Sequence, residues 1–292
     1  MSQRGKGPAS SREGDREEKG AGMKGTKKRF LVAQLSDLHC GDARFDRALL
    51  DRCIEIINHE SPDAVIVAGD LTANGYRDEF EEAAAYIAHI ECPCKVVIAG
   101  NHDCRNVGYV HFEELFGPRA STLSFIHCGD IGKHLSEQVK VVAVDSNKAD
   151  LNDGEVGRHN YDFIQREFAE EGVFKIFVLH HHLVHVPGTG RERNIVWDAG
   201  DVMQVLRDMR VDLVLSGHKH VPYVWPVAHM YLVTSGTAST WRTRGRIIPS
   251  FNLVEIREKE LRVEVISAID GERQVLPYPR WWLHESFALY PR

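Results

Sequence analysis

A chain of 292 residues suits one large α/β domain or two small ones. Its formal net charge of −6 argues against general nucleic-acid binding, which needs a basic face, and no apolar run approaches the length of a membrane span. Six cysteines without a Cys-x-x-Cys pair exclude a zinc ribbon or disulfide framework and point to reduced thiols in a cytoplasmic setting, with Cys92-Pro93-Cys94 a short connection.

Residues 1–28 are rich in Gly, Lys, Arg, Glu and Ser without apolar periodicity and read as a disordered leader, with Met23 an alternative start. No hydrophobic secretory segment is expected before the domain. From Phe30 onward strands and helices alternate. Residues 30–35 read as a buried strand, and Phe45, Leu49, Cys53, Ile56 and Ile57 then fall on one helical face. Residues 63–68 are the next strand, Phe80, Ala83, Ala84 and Ile87 mark a second helix, and residues 95–99 a third strand. Residues 139–144 and 173–179 are further strands around a helix at 161–170. Val202, Val205, Leu206 and Met209 mark a helix leading into a strand at 211–215. Strands at 230–234, 251–256 and 261–266 follow, the last two flanking a hairpin-like connection. The pattern predicts an α/β fold over residues 29–270, a two-layer β-sandwich flanked by helices. Residues 271–292 are set apart as an extension. Their aromatic residues Trp281, Trp282, Phe287 and Tyr290 predict packing onto the domain or onto a second copy in a homodimer.

Five short patches carry the chemistry: Asp37-Leu38-His39, Gly69-Asp70, Gly100-Asn101-His102-Asp103, His180-His181-His182 and Gly217-His218-Lys219-His220. Each alone is an ordinary loop sequence. All five follow β-like apolar runs, and in an α/β sheet the ligand crevice lies outside the carboxyl ends of the strands, so the patches converge. Asp, Asn and His side chains meeting there form a two-metal hydrolase site. Gly69, Gly100 and Gly217 suit sharp turns or close backbone approach after a strand.

The patches, in this order, resemble the calcineurin-like metallophosphoesterase superfamily over roughly residues 29–266, and within it the class III cyclic-nucleotide phosphodiesterase branch. The resemblance implies one metal held by Asp37, His39, Asp70 and His220, and a second by Asp70, Asn101, His180 and His218. Residue chemistry agrees: a bridging Asp70 carboxylate offsets repulsion between cations roughly 3.5–4 Å apart. Imidazole donors suit divalent or trivalent Mn, Fe, Zn or Co over Ca or Mg. The resemblance also places His102 beside the substrate phosphate, steadying the transition state and protonating the leaving oxygen. Asp103 is expected to orient the His102 ring. Hydrolysis is then in-line attack by a hydroxide shared between the ions. Relatives carry Pro where His182 stands here, which puts the local pocket in question.

Two loops are expected to touch substrate. Arg191 or Arg193 offers a planar fork to a phosphate, and Trp241, in a stretch with Arg242, Arg244 and Arg246, could stack on a base. The expected activity is metal-dependent hydrolysis of a small phosphodiester such as a 3',5'-cyclic nucleotide, with Asn101, His102, Arg191 and Arg193 contacting the substrate. The alternatives are a phosphomonoesterase or nucleotide pyrophosphatase with the same site, and a non-catalytic scaffold with a vestigial one. Neither a membrane nor a nucleic acid is expected as a partner.

Overall fold

The computed structural model describes Met1 and residues 29–126, 138–191, 193–244, 247–257 and 260–276. The leader, Cys128, Arg246 and the aromatic residues of 277–292, with the homodimer they suggested, lie outside the described residues. The strands, in chain order, begin with β1 (Phe30–Leu35), β2 (Ala64–Ala68), β3 (Lys95–Ile98), β4 (Ser121–Ile126), β5 (Gln138–Ala143) and β6 (Phe174–Val178). They continue with β7 (Leu213–Ser216), β8 (Tyr223–Val227), β9 (Met230–Thr234), β10 (Ser250–Arg257), β11 (Glu260–Ser267) and β12 (Arg273–Val275). They form two six-stranded mixed sheets, ordered β12-β11-β10-β1-β2-β3 and β4-β5-β6-β7-β9-β8.

Alternation along the strands builds the layers. Phe30 and Val32 of β1, Ile66 of β2, Ile176 and Val178 of β6 and Leu213 and Leu215 of β7 share one buried cluster between the sheets. The intervening residues face outward: Leu31, Ala33, Leu35, Val65 and Val67 meet α1 (Arg47–Glu60) and α2 (Arg77–Ala88). On the other sheet, Phe177 and Val214 meet α4 (Arg158–Glu167) and α5 (Ala199–Asp208). Strands buried on both faces read as continuous apolar runs, which is why the sequence shows them plainly. The α/β sandwich flanked by helices is the observed architecture.

Boundaries and edge elements depart from the sequence reading for identifiable reasons. Phe45 precedes α1, because Asp46 caps the helix by accepting from the Ala48 amide at 3.1 Å. The helix α3 (Gly108–Phe116) and the strands β4 and β8 were not anticipated. Strand β8, Tyr-Val-Trp-Pro-Val, carries a proline that argues against a central strand, and it sits at the edge of its sheet, where a missing amide is tolerated. Strand β12 adds three exposed residues to the other sheet beyond the boundary drawn at 270, and it has no apolar alternation to betray it. The hairpin between β10 and β11 is present, with Arg257 opposite Glu260.

Strands β1, β2 and β3 run parallel in one sheet, and β5, β6, β7 and β9 in the other. Their carboxyl ends open into one crevice. Among the described residues no helix is long and apolar enough to cross a membrane.

Candidate metal centre

All five patches meet in that crevice. Asp37 and His39 follow β1, Asp70 follows β2, Asn101 and His102 follow β3, His180 follows β6, and His218 and His220 follow β7. Each is at most 8 % exposed, so these polar groups are withdrawn from bulk water. The loops are tied to one another. Asp37 N–H donates to Gly69 O, His39 N–H to Asp70 O and Gly217 N–H to His180 O, at 2.9, 2.9 and 3.0 Å. Gly217 is needed because the two sheets pinch together there: a Cβ on it would lie 1.7 Å from Ser36 Oγ and 2.8 Å from Asp37 Oδ2.

The donors form two groups that share a carboxylate. In one, His220 Nε2 lies 3.1 Å from Asp37 Oδ1 and 3.2 Å from His39 Nε2, which is 3.8 Å from Asp70 Oδ2. In the other, His180 Nε2 lies 3.4 Å from the same Asp70 oxygen and 3.2 Å from Asn101 Oδ1, which is 2.9 Å from His218 Nδ1. The ring nitrogens turned away from the cluster hold backbone: His180 Nδ1 lies 2.7 Å from Ala68 O, and His220 Nδ1 2.5 Å from Arg242 O. Such contacts aim the remaining nitrogen at a ligand, as around metal-binding histidines.

Electrostatics match that arrangement. Burial holds His39 and His218 well below the usual imidazole range, with neighbouring histidines adding to the effect, so both are neutral donors. Burial pushes Asp70 upward, but His180, His102 and His39 outweigh it and hold this carboxylate well below its ordinary value. Burial alone would depress His180, yet Asp70 at hydrogen-bond range raises it to about 9. Asp37 is lowered too: His220 and His180 overcome its burial. Its Oδ1 is nonetheless a buried oxygen with no hydrogen-bond partner, facing two imidazole nitrogens. His220 Nδ1 is held on Arg242 O, so Nε2 is the nitrogen turned to that oxygen. A buried, unpartnered carboxylate oxygen beside imidazole nitrogens fits a cation, and the donor set of carboxylate, amide oxygen and imidazole suits a borderline divalent metal.

The structure does not bring every expected residue into this role. His102 does line the crevice, but Asp103 does not orient its ring: His102 Nδ1 lies 2.6 Å from Ala73 O. Instead, Asp103 accepts from the amides of Gly100, Leu71 and Thr72 and from Thr72 Oγ1, at 2.8, 3.0, 2.8 and 2.7 Å. It staples the loop after β3 to the loop after β2. Burial and the nearby Asp70 push it up to about 7 against the pull of those bonds. Arg191 and Arg193, expected at the substrate, are exposed and absent from the cavity wall; their neighbour Asn194 lines it instead. Trp241 donates through its indole to Asp46 Oδ2 at 3.1 Å and is also outside the wall. His181 is buried against Ser146 Oγ at 2.9 Å, and the His182 ring stacks on His218 at 5.7 Å.

Sequence reasoning missed Arg44, Arg105 and Asn152, which line the crevice with Arg242 and Arg244. Asn152 Oδ1 receives Asn101 Nδ2 at 3.2 Å and Arg105 Nη2 at 3.0 Å, and so turns the Asn101 oxygen toward the histidines. Reading outward from the Gly-Asn-His-Asp patch reaches Arg105 two residues later, whereas nothing local marks Asn152.

A sandwich whose strand ends gather carboxylates and imidazoles around one shared aspartate defines a metal-dependent hydrolase. Residues 30–222 match the model of the calcineurin-like phosphoesterase family, well over half of the chain, and the chain belongs to that family. It is a metal-dependent phosphoesterase. It is 25 % identical over 209 residues to a probable cyclic nucleotide phosphodiesterase of Synechococcus sp., covering 66 % of this chain and 74 % of the relative. It is 24 % identical over 160 residues to the 3',5'-cyclic adenosine monophosphate phosphodiesterase CpdA of Escherichia coli, and spans about half the length of that protein, 54 % of each chain. Its fold matches a dimetal phosphatase from Danio rerio with a TM-score of 0.61 at 13 % identity, over 86 % of this chain and 99 % of the other.

Proposed function

We propose that the protein hydrolyses a small phosphodiester with two metal ions, and that 3',5'-cyclic nucleotides are the first substrates to test. The observation that carries this reading is the shared Asp70 carboxylate between two clusters of buried donors, Asp37, His39 and His220 on one side and His180 and His218 on the other. Asp37, His39, Asp70 and His220 would hold one ion, and Asp70, Asn101, His180 and His218 the second. When bound, such ions supply Lewis acidity and make water a nucleophile near neutral pH.

The remaining chemistry belongs to side chains. His102 keeps Nδ1 on Ala73 O, so its ring is fixed in the wall with Nε2 left for the substrate. Burial and Arg105 lower its basicity, while Asp70 opposes them. A phosphate anion beside it adds to the pull of Asp70, and protonated Nε2 gives its proton to the departing oxygen. Asn152 fixes the Asn101 amide, and Asp103 fixes the loop that carries both Asn101 and His102. The names of the relatives support a diester substrate, and a reducing, cytoplasmic setting agrees with free thiols at Cys40, Cys53, Cys92, Cys94 and Cys104.

The test is hydrolysis of bis(p-nitrophenyl) phosphate against p-nitrophenyl phosphate by chelator-treated protein, with and without Mn²⁺. The expected result is Mn²⁺-dependent turnover with preference for the diester. Preference for the monoester moves the protein to the phosphatases, and silence toward both with metal bound points to a narrow natural substrate or to the scaffold.

A further inference from the structure

The crevice encloses about 320 Å³, at the small end of ligand cavities. Its wall contains four arginines, Arg44, Arg105, Arg242 and Arg244, and Asp70 is the one acid among the described residues that line it. They arrive on separate loops, Arg44 after β1, Arg105 after β3, and Arg242 and Arg244 after β9. Arg242 is neutralised by Asp42 at 3.1 Å. The other three have no carboxylate partner among the described residues. Arg105 donates only to neutral oxygens, Ala73 O at 3.3 Å and Asn152 Oδ1 at 3.0 Å. Arg244 donates to Lys219 O at 3.1 Å, and the Arg44 guanidinium has no hydrogen bond among the described residues.

Guanidinium groups gathered around one crevice repel one another, so an anion set opposite them is favoured. The scissile group of a phosphodiester carries a single charge, and the clustered donors and His102 already face it. The wall has three arginines to spare. It also lacks a surface for a nucleobase: no Phe, Tyr or Trp lines the cavity among the described residues. Recognition here is by charge, through planar forks that match phosphate oxygens.

We infer that the cavity binds a second phosphoryl group of its substrate, beyond the one hydrolysed, on Arg44, Arg105 and Arg244. The inference deepens the phosphodiesterase reading and rests on it only for the identity of the scissile bond. It makes the preferred substrate a compact phosphodiester with an additional phosphate, in preference to a singly charged cyclic nucleotide.

The experiment is calorimetric titration of the Mn²⁺-loaded protein with thymidine 5'-monophosphate and with thymidine 3',5'-bisphosphate. In parallel, turnover is measured on the p-nitrophenyl esters of thymidine 5'-phosphate with and without the same 3'-phosphate. A hydrogen-bonded charge pair contributes about 1.5–3 kcal/mol, so the additional phosphate should tighten binding about tenfold or more. The Arg44→Ala/Arg244→Ala double variant changes only exposed side chains, so its fold is secure. In it the advantage of the bisphosphate should fall well below the parent's, with only Arg105 left to hold the additional phosphate. Equal affinities in the parent, or an undiminished advantage in the variant, overturn the inference. Tight, arginine-dependent binding without turnover of either ester upholds the inference and refutes the phosphodiesterase reading alone.

Discussion

Replacing Asp103 by Asn separates a structural carboxylate from a catalytic one. Asp103 Oδ2 receives the amides of Gly100 and Leu71, and Oδ1 receives the amide and hydroxyl of Thr72. Asparagine keeps one acceptor oxygen. Its NH₂ is least costly on the Thr72 side, where the hydroxyl can rotate to accept but the amide N–H is left facing a donor. One orphaned buried N–H costs about 1–3 kcal/mol, and the bonds that survive lose the charge that roughly doubled their strength. At about pH 9, where a carboxyl pushed up to about 7 is ionised, the loss together is about 3 kcal/mol, a large share of the roughly 5–15 kcal/mol that holds a domain folded. With a denaturant slope of about 3 kcal/mol per molar urea, the unfolding midpoint falls by about 1 M. The assay is urea unfolding of the chelator-treated protein followed by circular dichroism, with the pH–rate profile of the metal-loaded variant beside it. An unchanged midpoint together with a lost limb of the pH profile would refute the staple and return Asp103 to proton transfer.

Gly100→Ala places a Cβ 2.2 Å from both the Asp70 amide nitrogen and Asp70 Oδ1. The shared carboxylate has to move, so stability should drop by about 1–3 kcal/mol and bound metal should fall below the parent stoichiometry by elemental analysis; undiminished metal content contradicts the bridging role. Asn101→Ala removes an oxygen within reach of His180 and His218, and one metal equivalent should be lost while the other stays. Retention of both equivalents takes Asn101 out of the centre. Burial raises the thiol pKa of Cys40, Cys53, Cys92 and Cys104, so at pH 8 all four stay protonated and covered. Native-state alkylation read by peptide mass mapping should mark Cys94 before these, and equal labelling of Cys53 would show that the α1 face opens.

The strands were legible because both faces of each central strand are covered, so 64–68 is apolar throughout and 30–35 and 174–178 are broken only by Gln34 and Lys175. The cluster in the crevice was legible because Asp, Asn and His are uncommon side chains to find directly after such runs. Other features depend on contacts that sequence position does not encode. A carboxylate next to His102 looks like its orienting partner, yet Ala73 O, brought over on the loop after β2, takes that nitrogen. The arginine wall is assembled from loops up to 200 residues apart, as the Arg242–Asp42 pair shows, so no local window contains it. The loop of Arg191 and Arg193 was expected at the substrate, but it contributes Asn194 to the cavity wall rather than its arginines.

The repeated spacing of the donors has a backbone explanation. Asp37 and His39 have φ of 56° and 52°, His218 and His220 have φ of 74° and 55°, and Asp70 has φ of 53°. The left-handed region costs a residue with a side chain about 1–3 kcal/mol, and Asp, Asn and His tolerate it better than most. In Asp-x-His and His-x-His, the two left-handed residues bracket one buried residue, Leu38 in the first and Lys219 in the second, and both outer side chains turn into the crevice. Bonds between the loops hold this conformation: Asp37 N–H and His39 N–H are on the β2 loop, and His218 N–H is on Asp37 Oδ2 at 3.0 Å. The last bond joins the two sheets through a donor residue itself. Part of the backbone strain therefore lies in the crevice loops, and the bonds that gather these side chains also close the sandwich at its carboxyl end.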